Sequence, residues 1–159
     1  MPPEAEGPEY TRVVSELFNS ITFGDEEHGD IAITPAKLSE LTERFAVEDA
    51  LMLSLIVLEA DGRITGVTEM AMWAEQPEHA WQWLTAVHRS VQGNGIGRWI
   101  KAAMLIHLRD NYPRVRWIYT GNAASNASML KINTDLGFRA YRTTSNYQMP
   151  MGDFEAAST

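Results

Sequence analysis

The chain has no cysteine among its 159 residues. That absence excludes disulfides, thiolate metal sites and a cysteine nucleophile, and it fits a cytoplasmic protein. There is also no run of eighteen apolar residues, so the sequence predicts no membrane span. The opening Met1-Pro2-Pro3-Glu4-Ala5-Glu6-Gly7-Pro8 is acidic and lacks the apolar stretch of a signal peptide. Basic residues are few: 13 Lys and Arg stand against 21 Asp and Glu, for a net charge of −8. Binding a phosphate backbone needs clustered cations, so the balance argues against nucleic acid as a partner. An acidic surface suits a cationic amine substrate and serves solubility equally well. The length is that of one domain, which buries about 70% of its unfolded surface. The expectation is a single domain over residues 9–151 between tails at 1–8 and 152–159.

Periodicity places the elements. Residues 9–21 carry Tyr10, Val13, Val14, Leu17, Phe18 and Ile21 at helical spacing. Thr34-Pro35 reads as a cap followed by proline at the first position of a helix ending near residue 45. Residues 51–60 are a nearly continuous apolar run, the pattern of a strand buried on both faces. Asp61-Gly62 is a hairpin signal, residues 63–73 are the return strand and residues 81–87 a third strand. Ile96, Ile100, Ala103, Met104, His107 and Leu108 share one side of a helix over residues 96–111, stopped at Tyr112-Pro113. A strand at 115–120 follows, then a helix at 125–136 closed by Gly137, and short strands at 138–141 and 146–151. The order is α/β, with no internal repeat.

Between the third strand and the long helix lies Val91-Gln92-Gly93-Asn94-Gly95-Ile96-Gly97-Arg98. A strand that turns through glycines into a helix start aims free N–H groups at one point. The positive end of the helix dipole lies there too, so the point attracts an anion, usually a phosphate. The spacing is neither G-x-G-x-x-G nor G-x-x-x-x-G-K-[ST], so neither the dinucleotide fingerprint nor the Walker loop applies. It fits Q-x-x-G-x-G through Gln92, Gly95 and Gly97. A Cβ at Gly95 or Gly97 would block close approach or forbid the required dihedrals.

This pattern resembles the acyl-CoA pyrophosphate loop of the GNAT superfamily of N-acyltransferases. A second segment strengthens the resemblance. Asn122-Ala123-Ala124-Ser125-Asn126-Ala127-Ser128-Met129, with Leu136-Gly137-Phe138 after it, is similar to the family's N-x-x-S-N-x-x-M…L-G-F. Its wording resembles most the C-terminal repeat of tandem-GNAT proteins of the mycothiol-synthase type. The resemblance implies a three-layer GNAT fold, with a mixed, mostly antiparallel sheet splayed between the strands that flank the glycine-loop helix. It implies acetyl-CoA as co-substrate, no metal, and direct attack by the amine of a small molecule. The pantetheine arm would pair with Thr85, Ala86 and Val87. The pyrophosphate would rest on Gln92, Gly93, Asn94, Gly95, Ile96, Gly97 and Arg98, and Asn126 would reach the pantetheine. Each side chain has a plainer alternative: loop closure for Gln92, a solvated helix residue for Arg98, and a helix cap for Asn126, as for Asn122 and Ser125.

The chain departs from the family at the reacting centre. The frequent base position early in the third strand holds Trp81 or Gln82 and no carboxylate. Glu69, inside an apolar strand where a glutamate is costly unless exposed or paired, becomes the candidate base, ahead of Glu75, His79 and His88. Asn133 stands where the family frequently has a donor tyrosine, which leaves Tyr141 as the candidate acid or as a core strand residue. The family's first strand has no counterpart before the 9–21 helix. An uncovered sheet edge invites association, which points to a homodimer. The acidic segment at residues 25–30 falls in the loop that lines the family's acceptor pocket. A metal site from Asp25, Glu27, His28 and Asp30 matches no known spacing. Trp73, Trp81, Trp83, Trp99 and Trp117 read as core or interface residues. Two functions follow: an N-acetyltransferase, or a catalytically weak or inactive GNAT domain that binds CoA or serves as a structural and dimerisation module.

Overall fold

Tyr10, Val14 and Leu17 lie a helical turn apart, and all three are buried on helix α1 (Pro8–Asn19). The computed structural model describes residues 8–19, 34–145, 147 and 149. The acidic segment at 25–30, the tails and the expected strand at 146–151 lie outside the described residues, apart from Pro8, Tyr147 and Met149. Helix α2 (Pro35–Val47) opens on proline, whose fixed φ suits a first helical position. The Glu48 N–H bonds to the Arg44 carbonyl, Asp49 takes a φ of 52°, and the chain turns into β1 (Ala50–Leu58). A hairpin turn with Gly62 at a φ of 84° leads into β2 (Ile64–Trp73). Then come β3 (His79–Val87), α3 (Ile96–Asn111), β4 (Trp117–Tyr119) and α4 (Ala127–Asp135).

The strands form one sheet in the order β1-β2-β3-β4. The first three are antiparallel neighbours and β4 runs parallel to β3. Side chains alternate across a strand, so β2 feeds two cores. On one face Val67 packs with Tyr10, Val14 and Leu17 of α1 and with Leu84 and Ala86 of β3. On the other, Met70 and Met72 pack with Ala80 and with Met104 and Leu108 of α3. A side chain as buried as Met104 contributes about 2 kcal/mol.

Three expectations are corrected. Residues 51–60 were to be buried on both faces, but β1 is an edge strand of the described sheet and is only half-buried. The strand buried on both faces is β2, flanked by β1 and β3 and buried from Thr65 through Met72. Residues 138–141 form no strand, and Tyr141 is exposed and outside both cores. The stretch from Arg139 to Ser145 has few apolar side chains to press against the sheet. Of the two alternatives for the tryptophans, exposure removes the core one for Trp83, Trp99 and Trp117.

Candidate active site

Strand β4 pairs with β3 only at His79, Ala80 and Trp81. From Gln82 to Val87, β3 has no neighbour on that side among the described residues. The His88 N–H bonds back to the Thr65 carbonyl of β2 at 2.8 Å. Antiparallel ladders alternate, so Ala86 directs its backbone groups at Val67 of β2 while Thr85 and Val87 direct theirs into the gap. Of the three residues expected to meet pantetheine, Thr85 therefore offers both backbone groups and Val87 its N–H.

The glycine loop begins where β3 ends. His88 caps a short 3-10 turn at Arg89–Val91 by accepting from the Ser90 N–H. The Gln92 side chain donates to the Val87 carbonyl at 2.8 Å, and Asn94 donates to the Val91 carbonyl at 3.2 Å. Gln92 thus closes the loop. Gly93 and Gly95 adopt φ values of 81° and 79°, which L side chains rarely tolerate. Gly95 is the N-cap of α3 and brings no side-chain cap bond. Among the described residues, no acceptor meets the N–H groups from Gly93 to Arg98. The dihedral argument does not extend to Gly97. A Cβ there would make ordinary contacts, 3.6 Å from Ile132 of α4 and 3.7 Å from Val87. Arg98 lies exposed in the first helical turn.

Asn126 takes the plainer role and leaves half of its amide free. Its Oδ1 caps α4 by accepting from the Met129 N–H at 3.1 Å and from Ser128 Oγ at 3.1 Å. Its Nδ2 has no partner among the described residues. Asn122 instead accepts from Asn133 Nδ2 at 2.6 Å.

A bulge interrupts β3 at its centre. Glu69 pairs with Leu84 and Met70 with Gln82, so Trp83 is the extra residue. Gln82 secures the bulge, donating to Thr68 Oγ1 and the Glu69 carbonyl at 2.8 Å and to the Leu84 carbonyl at 3.1 Å. Those carbonyls fix which end of the amide is nitrogen, and its Oε1 is left buried without a partner among the described residues. Beside the bulge, Glu69 is 5% exposed and accepts a 2.7 Å hydrogen bond from the Tyr10 hydroxyl. Burial raises the Glu69 carboxyl above the usual carboxylate range, against the Tyr10 bond, which lowers it. Burial and the adjacent Glu69 charge push the Tyr10 phenol strongly upward.

The remaining candidates are dispersed. Tyr141 sits edge-on to Tyr119 at 5.6 Å. His79 stacks edge-on to Trp81 and Tyr119, Glu75 is exposed in the β2–β3 loop, and His88 serves the 3-10 turn. Asn133 is buried and cannot supply a proton; its Oδ1 is unpartnered among the described residues. Sequence reasoning missed the Tyr10 contact, because Tyr10 fits the apolar stripe of α1 so well. It also missed Lys101, 1% exposed on α3, with its Nζ 5.4 Å from the Phe138 ring centroid. Burial pulls Lys101 down to about 8. A lysine off the apolar stripe normally signals a wet face.

The described residues contain no helix long and apolar enough to cross a membrane. No curated protein matches the chain. Among solved structures it resembles a tandem GNAT protein from the clavulanic acid biosynthesis pathway, at 28% identity and a TM-score of 0.67. That match covers 84% of this chain and 39% of the other, so the chain spans well under half the length of that relative. A mutant protein from Bacillus halodurans shares the fold at 17% identity and a TM-score of 0.67, covering 89% of this chain and 94% of the other. An acetyltransferase from Trypanosoma brucei does so at 14% and 0.56, with coverage of 87% and 94%. The acetyltransferase (GNAT) family profile matches residues 14–138, which include the glycine loop, the bulge and α4. The chain belongs to the GNAT acetyltransferase family.

Proposed function

We propose that the protein is an acyl-CoA-dependent N-acyltransferase that moves an acetyl group from acetyl-CoA to the amine of a small molecule. The observation that carries this is the continuity of free backbone groups. The Thr85 groups and the Val87 N–H line the β3–β4 gap and run directly into the unbonded N–H groups from Gly93 to Arg98. An extended amide-bearing arm ending in a pyrophosphate matches that row: peptide-like pairing along β3, then anion binding at the α3 start. Gln92 holds the junction, Arg98 adds charge beside the phosphates, and the free Asn126 amide donates to the arm.

The chemistry then falls at the bulge. The amine nitrogen attacks the thioester carbonyl carbon, forming the C–N bond. The C–S bond breaks as the tetrahedral intermediate collapses. The proton lost by the ammonium goes to Glu69, directly or along the Tyr10 hydroxyl, and a carboxyl raised by burial suits that task. The leaving thiolate takes its proton from Tyr141, which packs on Tyr119, the last β4 residue paired with β3. The test is free-thiol release from acetyl-CoA across a panel of amines. Glu69→Gln is expected to lose turnover and keep acetyl-CoA binding; full turnover in that variant removes Glu69 from the site.

A second reading rests on Asn133 and on the seal over Glu69. With an amide at Asn133 in place of a proton donor and the carboxylate closed by Tyr10, the domain would bind CoA without transferring the acetyl group. Acetyl-CoA binding with no thiol release from any amine selects that reading.

A further inference from the structure

Five aromatic side chains from four elements meet in one unbroken row beside the bulge. The Trp83 ring meets Phe45 of α2 at 5.2 Å, edge to face. Phe45 meets Trp73 of β2 at 5.9 Å, and Trp73 meets Trp81 of β3 at 5.1 Å. Trp81 stacks on Tyr119 of β4 at 5.4 Å, with an interplanar angle of 27°. Not one of the five is buried, and Trp83 is 52% exposed. A contiguous row of half-buried rings with an exposed one at its end is a poor core and a good binding face. Its place matters as much as its composition. The Trp81–Tyr119 stack closes the apex where β3 and β4 part, and Trp83 is the bulged residue opposite the Glu69–Met70 junction.

We infer that this row is the acceptor subsite, and that the acceptor is an arylalkyl amine with its ring on Trp83 and its nitrogen directed toward Glu69. The inference rests on the acyl-transfer reading above. Trp83 is the neighbour along β3 of Leu84, which faces Glu69 across the strands, so a short arm between ring and nitrogen suits the span. A flat ring finds offset or edge-on partners in the row, and an ammonium finds both aromatic faces and a carboxylate. An aliphatic amine of equal length gains the carboxylate and little else.

The experiment compares 2-phenylethylamine with n-hexylamine by free-thiol release at saturating acetyl-CoA. The aryl amine is expected to be favoured about tenfold in kcat/KM. Trp83→Ala brings the ratio close to one, mainly through KM, and Trp83→Phe keeps it. A ratio near one in the unaltered protein, or a ratio that Trp83→Ala leaves unchanged, overturns the inference; hexylamine turnover then leaves the acyl-transfer reading standing. Where neither amine releases thiol, calorimetric titration of 2-phenylethylamine, with and without CoA, decides. Binding that Trp83→Ala weakens several-fold supports the row as a ring site, and no heat overturns it.

Discussion

Tyr10 and Glu69, 59 residues apart in the chain, meet through a 2.7 Å hydrogen bond from phenol to carboxylate. The bond ties α1 to the centre of β2 and closes over the only carboxylate buried among the described residues. Tyr10→Phe strands that group without its donor, at a cost of about 1–3 kcal/mol. Urea denaturation at pH 7 measures the loss. It is expected to shrink near pH 4, where the carboxyl is protonated and cheaper to leave unpaired.

Glu69 also sets a pH dependence. Its folded value lies above the ordinary 4.5, so the native chain holds a proton that the unfolded chain has released. Its stabilising effect is complete below about 4.5 and is lost as pH rises through the folded value. Glu69→Gln keeps an acceptor for Tyr10 and is expected to flatten that fall. Denaturation midpoints of the two proteins, compared from pH 4 to 8, should diverge upward in pH in favour of the variant.

Lys101 has the opposite sign. A lysine pulled down to about 8 is charged at neutral pH inside the protein, so stability rises as pH climbs from 8 toward the ordinary 10.5. Lys101→Met keeps the length, removes the charge and is expected to add about 2 kcal/mol at pH 7. The variant's thermal midpoint should then no longer rise between pH 8 and 10.

Gly95 and Gly97 separate backbone from ligand effects. Gly95→Ala forces a φ of 79° on an L side chain and should cost about 1–2 kcal/mol of stability. Gly97→Ala meets only ordinary contacts and should fold with little loss. A loss above 2 kcal/mol at Gly97, measured by urea denaturation, contradicts the packing described around Ile132 and Val87.

Much of this was legible in the sequence because it follows from local rules. The limits of α3 come from the stripe at Ile100, Met104 and Leu108 and from the glycines before it, and the structure keeps them at residues 96–111. The hairpin was read from Asp61-Gly62. What stayed hidden depends on contacts between distant residues. A continuous apolar run such as residues 51–60 suits an edge strand as well as a central one, and only the number of neighbours decides. The Tyr10–Glu69 bond joins two elements whose patterns carry no mark of each other. The bulge at Trp83 is a mismatch of register, invisible in either strand alone. Five scattered aromatic residues become a row only when β2, β3, β4 and α2 are placed together.

Everything proposed for the site depends on the gap beside β3 and the loop at Gln92–Arg98 holding the CoA moiety. Calorimetric titration of acetyl-CoA into the protein tests it most directly, beside Gly95→Val as a loop variant checked for folding by circular dichroism. Saturable one-to-one binding is expected, weakened at least about tenfold in the folded variant as a Cβ crowds the pyrophosphate. No binding to the unaltered protein, or binding that the loop variant leaves intact, contradicts it.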